Sequence, residues 1–551
     1  MATAFGESSP FKPVLREVVS DLERGSASGE ANYIGFLDDG EDALLARLHL
    51  IQQSTRSIDM QTFIWVNDEA GQLLARALVA AANRGVKVRI LIDYVGLVKD
   101  ASALATVARA VPELEVRVYR PTARTLEKSY GATILYGLTN FKGANQRMHN
   151  KVLAVDGAVA ITGGRNVENS YFSQSLSINF KDRDVLVVGP VAGQMSAAFS
   201  DFWDYRHTVP VTALKDVAGA PADQTFSLLE SAVGKRLLRV EEAARQSLLV
   251  KRRLVDGLLP ARSVEFVSDL PGKNGALFLN GGGHATAHVS RCLKEAESSI
   301  WIQSPYAVLG GAGLRYFKGL RRSKPDLRVH LSTNSFGSTD NLVAYVGYIR
   351  LRERYVHQLG IRIHEYRPHP EDLRRVLPDF ERLRRESRSR EGASVREPFV
   401  CIHAKSFVFD DAVAFVGSFN LDPRSAHLNT EAGLVIRDPE IAKFLRREIE
   451  RDCQTENSWT IASRPISSGF IKLQMMAKDV TDMSPVDIAP IESTGAFELR
   501  SGMSPVAREH PDFYRHFRDI GIFPGSSGVL SERELYGRLL KISTRALDPL
   551  L

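Results

Sequence analysis

The sequence predicts an α/β fold built as two pseudo-twofold-related halves within one chain, sharing one site. Two observations predict it. One stretch occurs twice: residues 149–166 read HNKVLAVDGAVAITGGRN and residues 403–420 read HAKSFVFDDAVAFVGSFN. The order of helical and strand patterns ahead of each copy is also the same. A chain of 551 residues has room for two such halves. Both copies fit H-x-K, four residues, D, six residues, G-[GS]-x-N without a gap. His149, Lys151, Asp156, Gly163 and Asn166 align with His403, Lys405, Asp410, Gly417 and Asn420.

The elements follow in order. Residues 1–30 are polar and partly Ser/Gly-rich, and read as a lead-in. Beyond them, a turn leads into a helix with Leu44, Leu45, Leu48 and Ile51 at helical spacing. SIDMQTFIW (57–65) alternates as a strand does, and GQLLARALVAAANRG (71–85) reads as a helix stopped by Gly85. VKVRILIDYVG (86–96) and ELEVRVYRP (113–121) are further strands. This order indicates a layered α/β domain with a mostly buried sheet. The first motif copy follows, then the strand DRDVLVVGPV (182–191) and a helix through Phe199 and Trp203.

The second half repeats the plan. SIWIQSPYAV (299–308) matches SIDMQTFIW, LRVHLSTNS (327–335) matches VKVRILIDY, and IRIHEYRP (361–368) matches LEVRVYRP. The expected domains are therefore 31–215 and 273–455, joined by a helical connector at 216–272. An Arg-rich insertion occupies 371–397. The extension 456–551 has no counterpart in the repeat; its turn (PGSSG) and final helix are expected to pack on the second half.

Within each copy, His and Lys two residues apart point to one face of a strand. The runs VLAV and SFVF continue as buried strand, Asp-Gly or Asp-Asp makes a tight turn, and a second apolar strand returns. The glycines at 163–164 and Gly417 are expected to open a bend that brings Asn166 and Asn420 back toward the His–Lys face. Each copy then offers an imidazole, an ammonium and a carboxamide, a set suited to a phosphate group. The motif aspartates Asp156 and Asp410 lie across a turn from their histidines and are expected to hold that turn through backbone bonds. The downstream carboxylates Asp182 and Glu431 are better placed to orient the imidazoles, with Asp184 the rival to Asp182. Gly164 stands where the second copy has Ser418, whose hydroxyl is expected to donate to a bound phosphate.

The bulk numbers set limits. The net charge of +6 suits either solubility or attraction to an anionic partner. Cys292, Cys401 and Cys453 show no metal spacing and no disulfide framework, and are expected to be buried free thiols. Cys401 shares a face with His403, but Arg147 stands at its place in the first copy, which disfavours a catalytic thiol. No metal or cofactor is expected. The chain shows no secretory signal pattern and no apolar run of about 18 residues, so any membrane contact should be peripheral.

The paired motifs resemble those of the phospholipase D superfamily and its bacterial cardiolipin synthase-type members. Supporting stretches are SPY at 304–306, TNSFGSTDN at 333–341 and NLDPRSAHLNTE at 420–431. The resemblance implies two phospholipase D-like α/β sandwich domains around one metal-free active site. It implies attack by a histidine on a phosphodiester: His149 as nucleophile and His403 as general acid and then base, with the reverse left open by the symmetry. Lys151, Lys405, Asn166 and Asn420 would hold the non-bridging oxygens, and Asp182 and Glu431 would be the partners of the histidines. A phospholipid is the expected substrate, through hydrolysis or phosphatidyl transfer. Nucleic acid is the alternative, disfavoured because basic patches interleaved with aromatics are not evident. Aromatic and apolar residues in NSYFSQSLSINF (169–180) and SPYAVLGG (304–311) could receive acyl chains. The Arg-rich insertion reads as a solvated segment or as an arm touching anionic headgroups. The expected state is a functional monomer, cytoplasmic or peripheral at the inner membrane, with signal-less export left open.

Overall fold

The computed structural model describes residues 4–6, 8–97, 101–126, 141–220, 234–273, 281–391, 397–465 and 493–525. They build two large sheets. The first runs, edge to edge, through Leu259–Ala261, Asn32–Leu37, Asp184–Val188, Val159–Gly163, Val152–Val155, Ser57–Thr62, Lys87–Asp93, Leu114–Tyr119 and Thr208–Pro210. The second runs through Val264–Ser268, Ala432–Arg437, Val413–Gly417, Ser406–Phe409, Ser299–Gln303, Arg328–Asn334, Arg362–Tyr366, Ser458–Ser463, Thr494–Leu499 and Phe517–Asp519. From Asn32–Leu37 to Thr208–Pro210 the first order repeats, strand for strand, from Val264–Ser268 to Ser458–Ser463. In each sheet the three strands next to the motif hairpin pair with one another in parallel: Ser57–Thr62, Lys87–Asp93 and Leu114–Tyr119 in the first, Ser299–Gln303, Arg328–Asn334 and Arg362–Tyr366 in the second. The hairpin itself is antiparallel.

Local chemistry accounts for these elements. Lys87–Asp93, a central parallel strand, is buried on both faces over its last four residues and carries the continuous apolar run Ile90–Leu91–Ile92 there. The helix Glu69–Asn83 starts at Asp68, whose carboxylate accepts the Gly71 N–H, and its turn-off uses Gly85 at φ +89°. Its apolar stripe, including Leu73, Leu74 and Leu78, lies in the first core.

The halves meet face to face. Val152, Val185 and Val187 of the first sheet pack with Val408, Val416, Leu434 and Ile436 of the second. Met195, Leu445 and Ile449 join them from the helices Pro190–Trp203 and Pro439–Asp452. A parallel pair across the boundary, Ile178–Lys181 with Phe399–Ile402, adds main-chain bonds. A fully buried Val, Leu or Ile stabilises by about 1.5–3 kcal/mol, against about 5–15 kcal/mol of net stability for a domain. An interface of this size therefore fixes the halves relative to each other.

Several elements depart from the sequence expectation. Residues 1–30 include the helix Phe11–Glu23, which buries Phe11, Leu15 and Val18. The turn expected before Leu44 is preceded by the strand Asn32–Leu37, whose two neighbours both lie far away in sequence. The connector begins as helices, Lys215–Gly219 and Lys235–Ala243, but ends as strand: Leu259–Ala261 extends the first sheet and Val264–Ser268 opens the second. The second sheet thus starts ahead of residue 273. The extension also has a matching part, since Ser458–Ser463 occupies the place of Thr208–Pro210. Its strands Thr494–Leu499 and Phe517–Asp519 lengthen the second sheet; the expected final helix lies outside the described residues. The Arg-rich insertion forms the helices Leu373–Val376 and Phe380–Glu391, anchored through Leu377, Phe380 and Leu383. Arg375, Arg382, Arg384 and Arg388 are ion-paired to neighbouring carboxylates. No described helix is long and apolar enough to cross a membrane.

Candidate active site

The two motif hairpins turn on residue pairs in the left-handed region: Asp156 and Gly157 at φ 55° and 61°, Asp410 and Asp411 at 53° and 54°. A two-residue turn with both φ values positive matches the twist of its strands. The aspartate carboxylates pin these turns. Asp156 accepts from Thr55 N, Arg56 N and Ser57 N at 2.8–3.0 Å, and Asp410 from Glu297 N, Ser298 N and Ser299 N at 2.7–2.9 Å. Burial works against both charges, but these N–H groups outweigh it and hold both carboxyls below the usual range. Each aspartate is thereby committed to the start of a neighbouring strand, away from its histidine.

At the other end of each hairpin strand the histidine is held by the opposite half. His149 N–H donates to Thr430 O at 3.0 Å, and His403 N–H to Lys181 O at 2.9 Å. The side chains cross the boundary as well. His149 Nδ1 lies 2.9 Å from Glu431 Oε2, and His403 Nδ1 lies 2.6 Å from Asp182 Oδ2. A carboxylate only accepts, so each Nδ1 carries the proton and each Nε2 is left for chemistry. Asp184, the rival carboxylate, is instead bound by Arg47 at 2.8 Å and faces Arg165 at 3.5 Å.

Glu431 rests on a support that the sequence reading missed. Hydroxyls of Ser418 and Ser425 donate to its two oxygens, the latter at 2.7 Å. Its backbone N–H donates to Asp269, which pairs with the buried Lys273 at 2.9 Å. The Ser418 hydroxyl is thus occupied by Glu431 rather than turned to a phosphate. Gly164, at the matching place, backs onto Asp182: an added Cβ would lie 2.1 Å from Asp182 Oδ1. Neither Gly163 nor Gly417 adopts a left-handed φ. These glycines serve close strand approach, since a Cβ would fall 2.3 Å from Asp184 Oδ1 or from Ala432 O.

Lys151 Nζ donates to His149 O at 2.6 Å and lies over the Phe63 ring. Lys405 Nζ donates to His403 O and sits 2.8 Å from His403 Nδ1. The carboxamides differ. Asn166 is committed at both ends, accepting from Ile64 N at 3.1 Å and donating to Tyr171 Oη at 2.8 Å. Asn420 is buried, and its Oδ1 has no partner among the described residues. Tyr171 Oη lies 3.4 Å from His403 Nε2, and the Tyr171 and Phe180 rings flank that imidazole. Phe63 meets the His149 ring edge-on at 5.3 Å.

Burial pushes His149 down to about 4; Glu431 opposes this, while Lys151 and Lys405 add to it. Lys405 belongs to the other half, so the two half-sites share one electrostatic neighbourhood. Burial and Lys405 likewise lower His403, against Asp182 and Asp340. Both lysines are lowered by burial, Lys151 strongly. Burial also works against charge on Asp182 and Glu431, but the imidazoles and lysines outweigh it and lower both carboxyls. An anion bound here would restore full charge to the ammonium groups. Cys401 is buried, its thiol raised well above the usual range by that burial. No described group of three or more His, Cys, Asp or Glu is placed to hold a metal.

Two α/β halves with paired motifs and crossed histidine–carboxylate pairs place the chain in the phospholipase D superfamily. Residues 48–203 and 289–453 match the family described as cardiolipin synthase, PLD-like domain, and the chain belongs to that family. Cardiolipin synthase C of Escherichia coli is 32% identical over 77% of this chain and 85% of its own length. An uncharacterized Helicobacter pylori protein is 32% identical over 77% of this chain and 79% of its own. Cardiolipin synthase B of Shigella flexneri is 26% identical over 79% and 84%. The crystal structure of phosphatidylserine synthase from Haemophilus influenzae superposes over 82% of this chain and 93% of its own, at TM-score 0.52 and 14% identity, which shows a shared fold.

Proposed function

We propose that the protein is a phosphatidyltransferase of the cardiolipin synthase type, acting through a phosphohistidine. The crossed pairing of His149 with Glu431 and of His403 with Asp182 carries this reading. His149 is neutral near pH 7, and its Nε2 accepts no hydrogen bond from the described residues, which leaves a lone pair for phosphorus. Attack forms the His149 Nε2–P bond and breaks the P–O bond to the headgroup alcohol; His403 enters this step as an imidazolium, its charge balanced by Asp182, and gives its Nε2 proton to the leaving oxygen. A second alcohol then loses its proton to His403 Nε2 and attacks phosphorus, and the Nε2–P bond breaks. Lys151, Lys405 and the uncommitted Asn420 stabilise the non-bridging oxygens. The buried Tyr171 and the half-buried Phe63 and Phe180 flank the imidazoles and limit water, which favours transfer over hydrolysis.

The test uses purified protein and phosphatidylglycerol vesicles carrying labelled phosphate, with and without glycerol. Cardiolipin and exchanged lipid are the expected products, with phosphatidic acid minor. His149→Ala and His403→Ala should each lower turnover by at least about 10²-fold. Label should remain on quenched wild-type protein and be absent from His149→Ala. Turnover by either variant at near wild-type rate would refute the shared-site mechanism.

A further inference from the structure

One carboxylate at the site takes no part in the chemistry above. Asp340 sits at the end of TNSFGSTDN, just ahead of the helix Leu342–His357. Tyr306 Oη donates to its Oδ2 at 2.8 Å, and the Cys401 thiol approaches its Oδ1 at 3.6 Å. Cys401 and His403 are two residues apart on one strand face, and Asn334 clamps that face in place by accepting from Ile402 N and donating to Ile402 O, both at 2.8 Å. Asp340 therefore lies on the Cys401–His403 side of the site, and its charge opposes the lowering of both His403 and Lys405. Asp340 and Tyr306 are half-buried rather than sealed. The described residues of the first half are built differently: Asp93, the counterpart of Asn334, accepts the Met148 N–H at 2.8 Å, and Arg147 fills the place of Cys401.

We propose that Asp340 and Tyr306 form the subsite for the alcohol, selecting alcohols that carry a second hydrogen-bond donor. This rests on the transferase reading above. His403 exchanges its proton with the alcohol oxygen, so the rest of that alcohol must lie on the His403 side. There it meets an anionic acceptor held by a tyrosine whose oxygen accepts no hydrogen bond from the described residues. A hydroxyl two carbons from the reacting oxygen, as in glycerol, or an ammonium, as in ethanolamine, can donate to Asp340. Water and a simple alkanol cannot fill both positions. The incoming alcohol gives its proton to His403 Nε2, forms the new O–P bond and displaces His149 Nε2, while its second donor stays on Asp340.

The experiment compares isotope-labelled glycerol, ethanolamine and propan-1-ol as acceptors on phosphatidylglycerol vesicles, reading label incorporated into lipid. The readout is the ratio of kcat/KM for glycerol to that for propan-1-ol. Asp340→Asn should lower this ratio by about ten-fold or more, the value of a hydrogen bond to a charged group. The loss for ethanolamine should be at least as large, because its donor is charged. Tyr306→Phe should lower the same ratio by a smaller factor. An unchanged ratio in a folded, active Asp340→Asn protein would overturn the subsite, even if all rates fall together. If Asp340→Asn fails to fold, Tyr306→Phe decides alone, and an unchanged ratio there refutes it. Wild-type protein without transfer to any acceptor would instead strike at the transferase reading itself.

Discussion

At the scale of single residues the two motif copies are unequal, and the inequality sets roles. Glu431 spreads its charge over His149, Ser418 and Ser425, whereas Asp182 meets His403 and its neighbour Arg183 N–H. With His149 at about 4, the proposed nucleophile stays neutral well below pH 6. The acid limb of kcat/KM should therefore lie nearer pH 4 than the ordinary histidine value of about 6.5; a limb at 6.5 would contradict this. Glu431→Gln should lower kcat by about 10²-fold or more, since an amide orients the ring without stabilising its positive charge. Gly164 gives a sharper test. Serine is native at the matching position 418, yet Gly164→Ser should lower kcat by at least about 10²-fold, because a Cβ there displaces the Asp182 carboxylate. Adding Asp182→Glu, which imitates the second copy, should recover part of the loss. Additive effects in that double variant would show that the two positions do not communicate.

At the scale of elements, the motif hairpin shows what a sequence can disclose. The alternation that sets His beside Lys, the Asp-led turn and the apolar return strand are consequences of spacing and turn chemistry, and all are local. The structural work of Asp156 and Asp410 could be anticipated because a turn aspartate cannot reach back along its own strand. The crossing of carboxylates could not, because nothing in KDRD or NTE records which half each will face. Val264–Ser268 was hidden for another reason: a five-residue strand follows a long run of helix formers and pairs with residues 432–436, far along the chain. Asp340 and Tyr306 stood in noticed stretches, but their contact depends on strands that meet only in the fold. The hairpin also yields a stability prediction. Asp156→Ala leaves several strand-end N–H groups unsatisfied, at about 1–3 kcal/mol each, so urea unfolding at pH 7 should show a loss of at least about 2 kcal/mol. The folded carboxyl is held low, so its contribution is present above the unfolded value of about 3.9 and fades as pH falls through the folded one. The gap between wild type and variant should therefore narrow on acidification below about pH 4; a gap that widens would be the wrong sign.

At the scale of the molecule, both motif histidine–carboxylate pairs are inter-half contacts, so neither half holds a working pair alone. The main chain enforces this, through His149 N–H on Thr430 O, His403 N–H on Lys181 O and the parallel pair at 178–181 with 399–402. A first half pairing with its own copy would set His149 against Asp182, one methylene shorter than Glu431 and without the Ser418 and Ser425 hydroxyls. Separate chains cut at the exposed turn near Asp256–Gly257 should each be inactive toward phosphatidylglycerol vesicles, and their co-expression should restore transfer. Each isolated half would also expose the apolar face now buried by Val152, Val187, Val408 and Leu434, so it should aggregate or bind a hydrophobic dye. Because that face is shared, the intact chain should unfold in one transition, with spectroscopic probes in either half reporting the same midpoint. Turnover by one half on its own would mean that its histidine finds a sufficient partner within that half, and the crossed geometry would then be dispensable.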